Sequence, residues 1–389
     1  MLPQGDLDRL AAIRRHLHRH PELSREEEAT AAAIAQHLRE LGLPHETGIG
    51  GHGVVATVQG NGSGPGVGLR ADMDALPIQE RSGLPYASQT PGRMHACGHD
   101  GHVAILLGAA TILSRNRDFP GRVHLVFQPA EERFGGARLM VEDGLLDRYP
   151  MTRIFGLHNW PGLPAGQVAV HDGPVMAGTS EFDLRFTAAG GHASMPHRTG
   201  DPLLAGGHFM VGIQQAVARS VDPLDSAVVT VGSFQGGAAQ NVIPQVAALT
   251  GTLRGFHTPT LLHLRDRVRA VATAAAAIAG CGFALDFDEP LCTPVVNTPA
   301  ERDIMREAAR AAGLDLVTTC PPTMGGDDFG DLLVHLPGAY AFLGHGELAP
   351  EAGLHQPKYD FNDALIGPGA ALLAQSAILA LRRQAELDK

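Results

Sequence analysis

Near residue 179 the chain changes rhythm. Before it, strand-like runs ("GVVATVQ", "GVGLRADMDAL", "RVHLVFQ", "RIFGLHNWP") alternate with helix-length stretches such as "VAILLGAATILSRNR" and "GGARLMVEDGLL". That alternation predicts an α/β fold, with a mostly parallel sheet covered by helices. After it, "SEFDLRFTA" alternates strictly and "DPLLAGGHFMVGIQQAVARS" follows as a helix. Two strands come next, "SAVVTVGSFQGG" and "QVAALTGTLRGF", then a long Ala-rich helix and "FALDFDEP". Strand–helix–strand–strand–helix–strand (βαββαβ) is the split βαβ order of a small α+β domain. The earlier rhythm returns near 292 and closes on the helix "NDALIGPGAALLAQSAILALRRQAE". The expected organisation is one domain from 1–178 and 292–389, interrupted by an inserted domain, 179–291. The N-terminal segment reads as two helices broken at Pro21, with Ser24 and Glu27 forming a capping box for the second.

Composition narrows the partners. Thirty Lys and Arg against 41 Asp and Glu give a net charge of −11, which disfavours nucleic acid or an anionic membrane as partner. No apolar run in the sequence approaches the roughly 18 residues of a membrane span. No signal-peptide pattern opens the chain, so a soluble, cytoplasmic protein is expected. The four cysteines, Cys97, Cys281, Cys292 and Cys320, are too scattered for a disulfide framework and suit a reducing compartment. Twenty histidines favour metal or acid–base chemistry.

The densest cluster is "RMHACGHDGHVA", holding His95, Cys97, His99, Asp100 and His102. Thiolate and imidazole are good ligands for zinc-type ions, and the glycine of "CGH" lets both side chains turn inward. A structural zinc site would need a second ligand pair, which the other cysteines do not supply. In "FQPAEERFGG", Glu131 and Glu132 follow a strand at its carboxyl end, where open α/β sheets place their sites. One carboxylate could ligate while the other serves as a base; the alternative is a solvated helix start. His158 in "RIFGLHNWP" and His355 in "GLHQPKYDFND" are each open to a ligand or a surface reading.

Taken together, "MHACGHDGH", "FQPAEE", "GLHNWPGLPAG", "GGHASMPH", "QNVIPQVAALTGTLR" and "GLHQPKYDFND" resemble the N-acyl-amino-acid amidohydrolases. These are the aminoacylase-like branch of dinuclear metallopeptidases, which includes hippurate hydrolases and auxin-conjugate hydrolases. The resemblance spans essentially the whole chain. It implies a zinc-peptidase-like catalytic domain with an inserted lid and dimerisation domain. It also implies two divalent ions (Mn, Zn, Co or Ni) held by Cys97, His99, Glu132, His158 and His355, with Glu131 as general base. Where the wider family carries a ligand histidine, this chain has Asp72, and ligation moves to Cys97. Asp74 is expected to orient a ligand, and His95 and His102 to support or pack. In "GGDDFG", Asp327 replaces the glutamate usual in this branch.

The implied chemistry is hydrolysis of N-acetyl or N-benzoyl amino acids by a hydroxide bridging the two ions. Glu131 takes the water's proton and returns it to the leaving nitrogen. By resemblance His192 donates to the oxyanion, reaching the site of a neighbouring subunit, which implies a homodimer or a tetramer built through the insertion. Asn241 and Arg254 would hold the substrate carboxylate. The alternatives are a dipeptidase or carbamoyl-amide hydrolase of the same superfamily, a non-catalytic binding protein, and a cysteine hydrolase using Cys97.

Overall fold

The computed structural model describes residues 2–133 and 135–387; the outer bounds of the expected catalytic domain, 1 and 389, lie outside the described residues. The chain divides into two compact units. Met1–Val175, Val296–Pro322 and Asp328–Lys389 form one, and Met176–Val295 with Thr323–Asp327 the other.

The first unit is built on an eight-stranded sheet. Its strands run edge to edge as His45–Ile49, Gly53–Gln59, Pro120–Gln128, Gly62–Asp72, Ile154–Pro161, Gly338–Gly346, Gln167–Ala169 and Asp315–Val317. The four from Pro120–Gln128 to Gly338–Gly346 are mutually parallel, so their carboxyl ends share one edge. Val123–Phe127 and Val67–Ala71 are buried without alternation, as strands covered on both faces require. Gly53–Gln59 and Gly62–Asp72 are consecutive in sequence yet not neighbours, because Pro120–Gln128 lies between them.

The helix Ile366–Leu387 packs on the helix His99–Arg115 and on strands Gly62–Asp72 and Pro120–Gln128. Contrary to the sequence expectation, the stretch Asp363–Leu387 contains an 18-residue window apolar enough to cross a membrane, and 67% of that window is buried inside the protein. Its apolarity is that of a core helix, which is apolar around most of its circumference.

The expected capping box does not form. The second helix is Glu28–Glu40, and its start has no side-chain cap from Glu27. The Glu22 carboxylate instead accepts from Ala29 N (3.1 Å) and Thr30 N (2.8 Å). Ser24 Oγ donates to Asp74 Oδ2 at 2.6 Å, and Glu27 Oε1 accepts the Ala130 N–H at 2.8 Å. Both residues are drawn to buried polar groups that need partners.

The second unit is the βαββαβ arrangement expected from the sequence. Its antiparallel sheet has the order Ala227–Gly236, Val246–Gly255, Gly178–Thr187, Gly282–Phe287. Along Gly178–Thr187, Phe182, Leu184 and Phe186 face the core while Glu181, Asp183 and Arg185 face out. The inward set packs with Phe209 of the helix Pro202–Gly212 and with Leu261, Leu264 and Val268 of the helix Thr258–Ala279. Asp201 caps the first of these helices, accepting from Leu203 N at 2.9 Å.

Candidate metal centre

All five expected ligands and the expected base stand on the first unit. Cys97 and His99 flank Gly98, which begins the helix His99–Arg115 with φ 98°. A Cβ at Gly98 would fall on Asn159 Nδ2 and within 2.6 Å of Tyr359 Oη. Only glycine fits, and its left-handed conformation turns both neighbours to one side. Glu131 and Glu132 follow the carboxyl end of Pro120–Gln128, and His158 lies within Ile154–Pro161. His355 arrives from the loop after Gly338–Gly346. It has φ 61°, costly for a residue with a Cβ, and its N–H donates to Ala96 O at 2.7 Å. A strained residue held there by a hydrogen bond is the pattern of a functional position.

These side chains converge. Donor atoms of Cys97, His99 and His158 lie within 4.8 Å of one another, as do those of Cys97, Glu132 and His355, and those of Asp74, His99 and Glu131. Cys97 belongs to two of the groups. Its Sγ is 3.3 Å from His158 Nε2. His158 Nδ1 meets the Asn159 carbonyl at 2.7 Å; a carbonyl can only accept, so the ring proton sits on Nδ1 and Nε2 presents its lone pair. The Asp74 carboxylate likewise accepts a hydrogen bond from His99 Nδ1–H at 3.2 Å. That leaves His99 Nε2 3.9 Å from Glu131 Oε2 and 3.8 Å from Glu132 Oε1. His355 Nε2 is 3.5 Å from Glu132 Oε1.

The site fits divalent cations on two independent observations. His99 Nε2 and Glu132 Oε1 are buried with no hydrogen-bond partner among the described residues, which is costly for polar atoms unless a ligand satisfies them. The electrostatics also call for positive charge. Burial works against charging His99, yet the Asp72 carboxylate and the Asp74 hydrogen bond raise it well above the usual histidine range. The adjacent Cys97 thiol and Glu132 carboxylate push His355 up to about 10. Burial and His102 hold His158 well below its ordinary value, neutral as a ligand must be. Burial, with the Glu132 carboxylate, pushes the Cys97 thiol up, so ligation there releases a proton.

A layer of supports holds the ligands, and of these Arg70, Asn159 and Tyr359 are not singled out by the sequence. Asp74 accepts from Ser24 Oγ and His99 Nδ1 and also from the Glu132 N–H at 3.0 Å, so one carboxylate orients two ligands. Asp72 accepts from Arg70 Nη1 at 2.7 Å and from His102 Nδ1 at 2.6 Å. His102 Nε2 in turn receives the Asn159 N–H at 3.1 Å. Asn159 Nδ2 donates to Cys97 O at 2.7 Å, and Asn159 Oδ1 accepts from Tyr359 Oη at 2.6 Å. His95 is buried 6.4 Å from the His18 ring, and burial lowers its pKa to about 4. Asp327 is also buried.

His192, Asn241 and Arg254 stand on the second unit. His192 lies on the two-residue strand Gly191–His192, paired with Val242, and the Asn241 carbonyl accepts the Ala193 N–H at 3.0 Å, so these two are neighbours. Both are exposed, and His192 Nδ1 is 2.8 Å from Ser194 Oγ. Arg254 does not join them. It lies at the far end of the strand Val246–Gly255 and donates from Nη1 to Met324 O at 2.8 Å. At roughly 3.3 Å per residue the length of that strand separates it from the Asn241 end by on the order of 25 Å.

The comparisons with known proteins agree with this geometry. The family model described as Peptidase family M20/M25/M40 matches residues 68–378. An IAA-amino acid hydrolase ILR1-like protein of Arabidopsis thaliana is 40% identical over 95% of this chain and 85% of its own length. N-acetyl-L-cysteine deacetylase of Bacillus subtilis is 40% identical over 95% and 87%. Hippurate hydrolase of Campylobacter jejuni is 36% identical over 97% of each chain. Among solved structures, a Bacillus subtilis dinuclear metal binding peptidase from the M20 family superposes with TM-score 0.86 at 33% identity, covering 98% of this chain and 99% of that one. A family match over most of the chain, full-length relatives and a buried, cation-seeking cluster lead to one assignment: the chain belongs to peptidase family M20/M25/M40.

Proposed function

We propose that this metal-dependent amidohydrolase cleaves the amide bond of N-acyl amino acids, N-acetyl and N-benzoyl compounds foremost, to a carboxylate and a free amino acid. The observation that carries the reading is the pair of ligand groups sharing Cys97, with His99 Nε2 and Glu132 Oε1 buried without a hydrogen-bond partner among the described residues and His99 Nε2 3.9 Å from Glu131 Oε2. The named relatives act on amides of amino acids, which supports the substrate class.

Cys97, His99, Glu132, His158 and His355 would hold two ions; thiolate, imidazole and carboxylate together accept Mn, Zn, Co or Ni. When bound, such ions polarise an amide carbonyl and lower the pKa of a water near them. Glu131, on the strand-end turn beside the ligand Glu132, takes the proton of the attacking water. It then passes that proton to the departing nitrogen, whose expulsion as an amine requires it. Asp74 keeps the His99 proton on Nδ1 and the lone pair on Nε2.

Arg254 and Asn241 bind the substrate's free carboxylate, the guanidinium by its planar fork, and His192 donates to the developing oxyanion. Because His192 and Asn241 lie far along the strand from Arg254, one chain's second unit does not gather all three. A homodimer in which a second copy supplies His192 together with its neighbour Asn241 resolves this. A small number of cysteines, scattered along the chain, supports a reducing compartment, the cytoplasm.

The test is turnover of a panel of N-acetyl, N-benzoyl and dipeptide substrates by purified protein, stripped of metal and then restored with each ion. Hydrolysis of the acylated amino acids is expected. Turnover of dipeptides alone sinks the substrate assignment.

A further inference from the structure

Glu27 takes no part in the chemistry above, yet it is fully buried. Its Oε1 accepts the Ala130 N–H at 2.8 Å, and its Oε2 has no partner among the described residues. Ala130 has φ 53°, in the left-handed region, where a residue with a Cβ sits only if its surroundings hold it. It directly precedes Glu131 and Glu132. The segment carrying Glu27 is itself tied to the same floor. Glu22 O accepts the Ala75 N–H at 2.8 Å, and Ser24 Oγ donates to Asp74, the carboxylate that also takes the Glu132 N–H. The turn bearing the two glutamates is therefore gripped at two points from one N-terminal strap, at Ala130 by Glu27 and at Glu132 through Asp74.

We propose that Glu27 is a positioning residue: its carboxyl pins the strained Ala130 turn and so aims Glu131 and Glu132 at the reacting centre. This rests on the reading that those two glutamates carry base and ligand roles. What matters at Glu27 is reach, not charge, since a backbone N–H needs only an acceptor oxygen at the right distance. Burial and the nearby Asp74 carboxylate raise its pKa above the ordinary glutamate value.

The experiment separates reach from charge with three variants. Glu27→Gln keeps the length and the acceptor and loses the charge. Glu27→Asp keeps the charge and withdraws the acceptor by one methylene. Glu27→Ala removes both. Zinc affinity is read by competition against a chromogenic chelator, kcat and KM on an N-acetyl amino acid, and folding by thermal unfolding of the metal-free proteins. Glu27→Asp and Glu27→Ala are expected to lose roughly 10–100-fold in zinc affinity, the usual cost of disturbing a residue that orients a ligand. In both, kcat falls more than KM changes, while Glu27→Gln retains wild-type values. Glu27→Asp and Glu27→Gln stay close to native volume, so the comparison survives if Glu27→Ala does not fold. Wild-type zinc affinity in Glu27→Asp together with weakened affinity in Glu27→Gln overturns the proposal, as does wild-type behaviour in all three. The zinc measurement needs no substrate, so a wild-type protein inactive on N-acyl amino acids would defeat the proposed function and leave this test standing.

Discussion

Replacing Asp74 with asparagine exchanges one oxygen for an amide nitrogen at nearly constant volume. The native carboxylate accepts three hydrogen bonds, from His99 Nδ1 at 3.2 Å on Oδ1, and from Ser24 Oγ at 2.6 Å and the Glu132 N–H at 3.0 Å on Oδ2. An asparagine can satisfy one side only. If its NH2 group faces His99, the imidazole must move its proton to Nε2, the atom that should ligate. If the NH2 faces Glu132, two N–H donors confront each other; the Ser24 hydroxyl can rotate to accept, but the backbone N–H of Glu132 cannot. Either way one charge-assisted hydrogen bond in a buried site is lost, worth roughly 1.5–3 kcal/mol. That corresponds to a drop of about 10–150-fold in metal affinity. The assay is a chelator-competition titration of Asp74→Asn against wild type, with thermal unfolding of the metal-free proteins as the control. Metal affinity unchanged in a folded Asp74→Asn protein would refute the tautomer argument.

Glu131→Gln should bind metal as wild type does while kcat falls by roughly 10²–10⁴-fold, the contribution of a positioned general base; metal analysis beside steady-state kinetics checks it, and undiminished turnover removes Glu131 from the mechanism. Gly98→Ala should destabilise the protein by about 2–5 kcal/mol, from roughly 1–2 for a Cβ in the left-handed region and ~1–3 for overlap with Asn159, measured as a lower denaturant midpoint. His18, paired with Asp100 at 2.9 Å, is held up to about 9 although its burial opposes the charge. A histidine raised in this way stabilises fully below its unfolded value near 6.5, and loses that contribution as pH climbs through 9. The effect is on the order of 3 kcal/mol. Chemical denaturation of metal-free protein from pH 6 to 10 should show the decline, and His18→Gln should flatten it; parallel curves for the two proteins would contradict the pairing.

The sequence carried the ligand-bearing turns because their information is local. Gly98 between Cys97 and His99, and two glutamates after a strand, are short-range patterns whose geometry follows from the backbone. The βαββαβ order of the second unit was readable for the same reason: Phe182, Leu184 and Phe186 alternate with Glu181, Asp183 and Arg185. What stayed hidden depends on partners distant in the chain. Asn159 and Tyr359 support Cys97 from positions that no spacing rule connects. Ser24 and Glu27 match a capping box in every local respect and still bond elsewhere, because Asp74 and Ala130, more than forty residues away, present buried groups in greater need. The place of Pro120–Gln128 between two strands that follow one another was likewise invisible, since strand order is decided by tertiary pairing.

The donors of the pocket emerge in the order Cys97, His99, Glu132, His158 and, after the whole second unit, His355. A ribosome-bound chain lacking that last loop would have four of the five proposed donors, and the group Cys97, Glu132 and His355 would be incomplete. With the proposed ligand set, the cage is completed only when the His355 loop docks, which ties full metal capture to a late step of chain folding.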